Sequence, residues 1–216
     1  MIRDFSVNEF LAIVSGLKAT VLLSLLAFAG GGLGGLLIAL ARTSQSAVLR
    51  SASAAFIDFF QGTPLLMQLF LVFYGLPVLG YHVNPWVAAG IGLTLHAGAF
   101  LGEIWRGGIQ AVPRGQTEAA HALGLGYMAR MRDVVLPQAL RLSLAPTVGF
   151  LVQLIKGTSL AAVIGFVELS RSAQIISSTT YKPLQAYGLA GLCYFAICFP
   201  LSRFSAALER RYAAKT

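Results

Sequence analysis

The stretch that decides the fold is PRGQTEAAHALGLGYMARMRDVVLP, residues 113–137, a polar segment between two strongly apolar ones. Its residues predict a short helix, then a turn, then a second short helix. Thr117 is a candidate N-cap for the first helix, and Glu118 follows it, where a helix N-terminus favours an acid. Gly124 and Gly126 are expected to end that helix and let the chain turn.

The second short helix is expected from about residue 127 to 134, and it carries Arg130 and Arg132. The pair Leu136 and Pro137 then begins a new apolar segment. Small alanines on the first helix would let its backbone approach a groove in another protein. An amphipathic loop lying on lipid headgroups is the alternative. The local pattern leaves both interpretations open.

Composition places the chain in a membrane. Hydrophobic residues make up 56% of it and charged residues only 11%, whereas soluble domains carry about 25% charged residues. The net charge is +8, but the basic residues are not clustered with aromatic ones as in a nucleic-acid site. Loop charges that set membrane orientation account for them better, so no nucleic-acid partner is expected.

The apolar segments predict an all-α, polytopic membrane protein with five transmembrane helices, since each is long enough to cross a bilayer. The expected spans are about 16–41, 53–79, 86–105, 136–165 and 186–204, in a single transmembrane domain over 16–208. The segments outside them are an amphipathic lead-in at 1–15, the loop at 113–135 and a tail at 209–216.

Two features modify individual spans. Pro64 lacks a backbone donor and should kink the second span. In the first span, Gly30, Gly31, Gly34 and Gly35 create overlapping G-x-x-x-G spacings. Small residues at that spacing favour close packing against another helix, although the sequence does not identify that helix.

Basic residues predict the orientation. Most of them fall in the loops at 42–51 and 106–133 and in the C-terminal tail. The positive-inside rule makes that side cytoplasmic. Five spans then put the N-terminus and the lead-in outside, and the C-terminus inside. The loop at 113–135 is therefore expected to be cytoplasmic.

The spacing of the loop residues resembles a family motif. The segment is similar to the EAA loop of bacterial ABC importer permeases of type I. Its matching residues are Glu118-Ala119-Ala120, Gly124 three residues later, Val134 nine residues after that, and then Leu136-Pro137. That motif reads E-A-A-x3-G-x9-I-x-L-P, and only Val134 departs from it. In the family this loop is a coupling helix on the ATPase subunit. The resemblance therefore implies ATPase-coupling roles for Glu118, Ala119, Ala120, Gly124, Arg130 and Pro137.

Further stretches resemble the polar amino acid subfamily, which serves substrates such as histidine, glutamine, glutamate, arginine and opines. The stretches are FIDFFQGTPLLMQLFLVFYGLP (56–77), FLGEIWRGGIQAVPRGQTEAAHALGL (100–125), VVLPQALR (134–141) and IKGTSLAAVIGFVELSR (155–171). Three residues depart from it: Gln61 replaces an arginine, His96 an asparagine, and Gly157 the aspartate of K-D-T-S-L. Loss of that acid argues against a cationic substrate side chain.

The residues assigned by this resemblance and by membrane depth to the substrate path are Gln61, His96, Lys156, Thr158 and Ser159. An ionisable group at membrane depth, such as Lys156, is a functional candidate. Snorkelling to the outer headgroups is the alternative for Lys156, and contact with a neighbouring helix is the alternative for His96.

The sequence contains no phosphate-binding loop and no catalytic or metal-ligating cluster, so it predicts neither an enzyme nor a cofactor. The resemblance implies two copies of a separate ATP-binding subunit, a second permease subunit, an external solute-binding protein and a polar amino acid substrate, in the bacterial inner membrane. An ion-driven secondary transporter, with Asp58 as the candidate buried acid, and a non-transporting membrane scaffold are the alternatives.

Overall fold

The structure is a computed structural model that describes residues 6–213, and every regular element in that part of the chain is a helix. The long helices are α1 (Val7–Arg42), α2 (Ala47–Gly62), α3 (Leu65–Val78), α4 (Pro85–Gln110), α7 (Leu136–Gly157) and α9 (Pro183–Ala213). The shorter ones are α5 (Arg114–Ala122), α6 (Tyr127–Arg130) and α8 (Leu169–Thr180). A π-helical turn (Met131–Val135) leads into α7, and a 3₁₀ segment (Thr158–Ile164) follows it. The predicted all-α class is confirmed.

Four helical stretches in the described residues are long and apolar enough to cross a membrane, and α2 with α3 makes a fifth if that pair counts as one span. The predicted kink at Pro64 is in fact a break, because α2 and α3 meet at an angle of 104°. Thr63, the residue before the proline, is extended, as steric conflict with a proline ring favours. The second span is therefore two helices.

The first and last spans are longer than expected. Helix α1 begins at Val7 because Ser6 and Glu9 form a capping box, in which each side chain satisfies an unpaired backbone donor at the helix start. Most of the segment expected as a separate lead-in, 1–15, is thus the first part of α1. At the other end α9 continues to Ala213, through most of the expected tail. Residues 1–5 and 214–216 lie outside the described part.

The segment at 168–185 is largely the helix α8, which packs between α1 and α9. Leu169 and Ala173 are fully buried there, and they form a core cluster with Ile13 of α1 and Ala186 of α9. Helix α8 is polar overall but amphipathic, and the buried side of such a helix needs only a few apolar positions.

Glycines bring α1 and α4 into backbone contact. A Cβ atom added to Gly35 would lie 2.9 Å from the backbone nitrogen of Gly102, and one added to Gly31 would overlap Ala97. Gly34, between them, has no atom within 4 Å of that position. The predicted close packing is thus present, and α4 is the helix that the sequence could not identify.

Candidate functional site

Helix α5 starts earlier than the sequence indicated. Its N-cap is Pro113, and Arg114 to Thr117 form its first turn, so Thr117 does not cap it. The fixed backbone of proline is suited to a helix start. Glu118 consequently lies in the second turn, where the attraction between an acid and the helix dipole is weaker. Attraction to the helix dipole therefore explains the presence of an acidic residue at position 118 less well than the sequence suggested.

Gly124 ends α5 in a left-handed conformation, with φ at +77°. The backbone nitrogen of Leu125 donates to the carbonyl of Ala120 at 3.1 Å, and that of Gly124 donates to His121 at 2.9 Å. This pair of bonds is the Schellman arrangement, which favours glycine at the left-handed position. The turn expected at Gly124 is present in the structure.

We expect Gly124→Ala to loosen the end of α5, since a left-handed alanine costs about 1 kcal/mol. Hydrogen exchange at the amides of Leu123 and Leu125 should quicken about fivefold. Gly126→Ala is the matched control, because Gly126 has a φ of −64° and no atom near its Cβ position. Equal exchange rates in the two variants would contradict the role given to Gly124.

The second short helix is continuous with α7 rather than separate from it. Helix α6 runs straight into the π-helical turn and then into α7, with Pro137 in the first turn of α7. Arg130 lies over the ring of Tyr127, 5.7 Å from its centre. Buried Val112, Val135 and Ala139 form a small core that fixes the loop to the ends of α4 and α7. Movement of α6 would therefore be passed directly to α7.

The loop exposes apolar side chains. Leu123 is 81% exposed and Met128 75%, and Ala119 and Tyr127 are exposed as well; we call these four residues the loop patch. Glu118 is exposed beside it, whereas Ala120 is buried and holds α5 against the loop. A set of exposed apolar side chains on a polar loop is typical of a protein interaction surface.

A cavity of about 700 Å³ lies between α4, α7 and α9. Its lining combines charged and polar side chains with aromatic ones, and includes Phe100, Arg141, Phe150, Gln153, Ser205 and Glu209. Phe100 and Phe150 stack on each other, with ring centres 5.4 Å apart and an angle of 12° between the rings. This mixed lining suits a small polar molecule better than a lipid chain.

The residues expected on the substrate path differ in their exposure and partners. Gln61 and Lys156 are exposed, and Thr158 is fully buried with its hydroxyl donating to the carbonyl of Ile155. The hydroxyl of Ser159 donates to the carbonyl of Lys156. His96 is half-buried, and none of the five is among the residues that line the cavity.

Sequence reasoning missed Gln68, the partner of His96. Gln68 is only 4% exposed, and its side-chain oxygen lies 3.0 Å from Nδ1 of His96. A buried amide inside an apolar run was the available signal, since buried polar side chains need partners. Elsewhere on α4, Arg106 pairs with Glu103 and donates from its Nε to the carboxylate at 2.7 Å.

Glu168 is the second residue that the sequence reasoning missed. It is fully buried, while Asp58, the expected buried acid, is exposed. The carboxylate of Glu168 accepts bonds from the backbone of Ser170 and Arg171 at 2.9 and 2.8 Å, and from the hydroxyl of Tyr194 at 2.8 Å. These bonds cap α8 and tie it to α9. Within residues 6–213 no three metal-ligating side chains come together as a metal site.

The helix lengths, the apolar surface and the structured loop define a polytopic helical membrane protein with an exposed, partly apolar loop between α4 and α7. Residues 31–214 match the family described as binding-protein-dependent transport system inner membrane component. The chain belongs to this family, and within it to the permeases of amino acid ABC importers.

Three similar proteins support this placement. A probable amino-acid ABC transporter permease of Bacillus subtilis is 38% identical over 208 residues, 96% of this chain and 92% of that protein. The L-cystine transport system permease of the same organism is 38% identical over 217 residues, 98% of this chain and 93% of that protein. A crystal structure of an amino acid ABC transporter with histidines has a TM-score of 0.90 at 36% identity, covering 98% of this chain and all of that one.

Proposed function

We propose that this chain is the transmembrane permease subunit of an ATP-driven importer for a polar amino acid. It forms the translocation path with a second permease subunit, the same or a homologue. Two separate ATP-binding subunits hydrolyse ATP, and an external solute-binding protein delivers the substrate. Support comes from the family and from relatives that are named as amino acid permeases. The single observation that carries the coupling role is the exposed loop patch.

The loop patch is the proposed ATPase contact. Leu123 and Met128 would enter an apolar groove of the ATPase, and exposed Ala119 would let the helix backbone approach closely. Glu118 would bond at the edge of this contact, while Gly124 sets the turn and Ala120 holds α5 on the loop. A contact built on a few apolar anchors with a polar edge is the usual form of a protein interface.

Coupling follows from the continuity of the loop with α7. ATP binding would close the two ATPase subunits and draw the paired loops together. Arg130 stabilises α6 through its ring contact, and Pro137 begins α7, so the displacement passes into the wall of the cavity. The cavity would then alternate between the two sides of the membrane by a movement of packed helices.

The chain is proposed to lie in the bacterial inner membrane with its N-terminus outside and its C-terminus in the cytoplasm. The distribution of basic residues supports this orientation. It places the loop patch in the cytoplasm, where an ATPase subunit could reach it.

Leu123→Glu should abolish ATPase binding, because it puts a charge into the apolar contact. We expect recovery of the ATPase with the tagged permease to fall at least about tenfold, as for a central interface residue. Leu184→Glu is the matched control, since Leu184 is 87% exposed at the start of α9, away from the loop. Undiminished ATPase recovery with Leu123→Glu would count against the proposed contact.

Transport itself should be measured in proteoliposomes that contain the complete complex. Uptake should require ATP and the binding protein, and bulky replacements of Glu118 or Gly124 should reduce it while membrane insertion stays intact. Uptake that survives ATP depletion but collapses with an uncoupler would favour the ion-driven alternative. No substrate-dependent ATPase activity with any partner would favour the scaffold.

A further inference from the structure

Two opposite charges, Arg141 of α7 and Glu209 of α9, border the same end of the cavity. The two helices pack antiparallel, and the hydroxyl of Ser205 donates to the carbonyl of Ala145 at 2.8 Å, which sets the level at which they meet. Arg141 lies four residues before Ala145, and Glu209 four residues after Ser205, so each is displaced by about 6 Å toward the loop. The two charges are therefore level with each other.

The guanidinium and the carboxylate are within reach of each other but unpaired. Helices in contact have axes about 8–10 Å apart, and extended arginine and glutamate side chains together can bridge that gap. Both side chains are exposed, and neither makes an ion pair or a hydrogen bond within residues 6–213. A displacement of α7 toward α9 would bring the two groups into contact.

A second cavity, of about 510 Å³, adjoins the first one at this level. Pro113 and Gln116, at the start of α5, are among the residues that line it. Arg141, Leu142 and Tyr212 line both cavities, so they form the boundary between them. With the loop in the cytoplasm, the second cavity is the cytoplasmic approach to the first.

We propose that Arg141 and Glu209 form the inner gate of the translocation path. Their ion pair closes the loop end of the cavity when the cavity opens to the outside, and the unpaired charges of this structure correspond to the open gate. This inference rests on the proposed function and adds to it the residues that shut the path. An ion pair between exposed groups contributes little free energy, so the movement of α7 can both make it and break it.

Access to the cavity from the cytoplasm is the property that tests the gate. Gln153→Cys puts a thiol on the cavity wall, about three turns of α7 beyond Arg141, in a chain whose Cys193 and Cys198 are replaced by alanine. Inside-out vesicles that contain the complete complex expose its cytoplasmic face. A membrane-impermeant thiol reagent is added to resting vesicles and to vesicles trapped with ATP and vanadate, and the labelling rates are compared.

Trapping should slow the labelling of Gln153→Cys at least about fivefold, because the closed gate excludes the reagent. Arg141→Glu and Glu209→Arg each place like charges opposite each other, which repel, so each should abolish most of this protection. The double variant with both changes restores opposite charges and should recover protection of at least about threefold. Arg210→Glu is the matched control, since Arg210 is exposed beside Glu209 but lines neither cavity, and it should keep full protection.

Full protection in either single variant would overturn the proposal. A double variant that stays unprotected would also overturn it, because Arg141 would then act on a group other than Glu209, such as the carboxylate of the substrate. If a charge-reversed chain does not assemble, Arg141→Gln and Glu209→Gln decide in the same way: loss of protection supports the gate and full protection overturns it. Equal labelling of resting and trapped vesicles in the Gln153→Cys chain would instead refute the proposed function, and the gate with it.

Discussion

Gly35→Leu is expected to prevent stable packing of α1 on α4, with a cost of at least about 3 kcal/mol, the upper part of the range for overpacked cores. Even the first side-chain carbon at this position would meet backbone atoms of α4, at 2.9 Å from the Gly102 nitrogen and 3.1 Å from the Gly98 oxygen. Backbone atoms cannot move aside to relieve the overlap, as the end of a flexible side chain can. We therefore expect little of the extracted chain to elute as a monodisperse complex, and a lower thermal midpoint for the remainder.

Gly34→Leu provides the control for this prediction. Gly34 is adjacent in sequence and identical in chemistry, but its Cβ position has no atom within 4 Å. Its neighbours Leu33 and Leu37 are 73% and 70% exposed, so a leucine between them extends an apolar, membrane-compatible surface. We expect wild-type yield and thermal midpoint for this variant. Equal losses in both variants would show that glycine flexibility, and not the contact with α4, is what α1 requires.

The second large effect is expected at Glu168. Glu168→Ala leaves the backbone donors of Ser170 and Arg171 and the hydroxyl of Tyr194 without their acceptor inside the protein. Each such loss costs about 1–3 kcal/mol, so we expect destabilisation of roughly 3–5 kcal/mol, allowing for rearrangement of the hydroxyl. The thermal midpoint of the purified complex is the measurement, and Asp58→Ala, which removes an exposed acid, is the control.

Glu168→Gln refines this test. The glutamine keeps one acceptor oxygen but brings two N–H donors into a site made of donors, which include Thr20 of α1 at 3.3 Å from the carboxylate. We expect the thermal midpoint of the glutamine variant to lie between those of the wild type and the alanine variant. A glutamine variant as stable as the wild type would contradict the view that Glu168 serves as an acceptor for several donors.

The sequence predicted the class of fold and the positions of most spans because apolar runs long enough to cross a bilayer are typical of transmembrane helices. It predicted a kink at Pro64 from the missing donor, but it predicted neither the 104° angle nor the bonds that Gln68 of the next helix donates to the carbonyl oxygens of Phe60 and Thr63. It did not predict the burial of Glu168, because the side chains of its partners Thr20 and Tyr194 lie on helices far away in the chain. Local patterns carry no information about such contacts.

The loop was the most predictable part of the candidate site. Its motif lies within one continuous segment, so spacing alone predicted the turn at Gly124 that the structure contains. The exposure of Leu123 and Met128 was not predicted, because exposure depends on which faces α4 and α7 cover. His96 was identified as a departure from the family, but its partner Gln68, 28 residues away on another helix, required the fold.

The glycine contact between α1 and α4 also limits how the protein can move. Two helices whose backbones touch at Gly31 and Gly35 cannot slide past each other without separating. We therefore expect α1 and α4 to move together as one rigid body. Shape changes are then left to the opposite side of α4, where α7 and α9 border open volume. During a transport cycle we expect α7 to move relative to the α1–α4 pair, while that pair keeps its internal geometry.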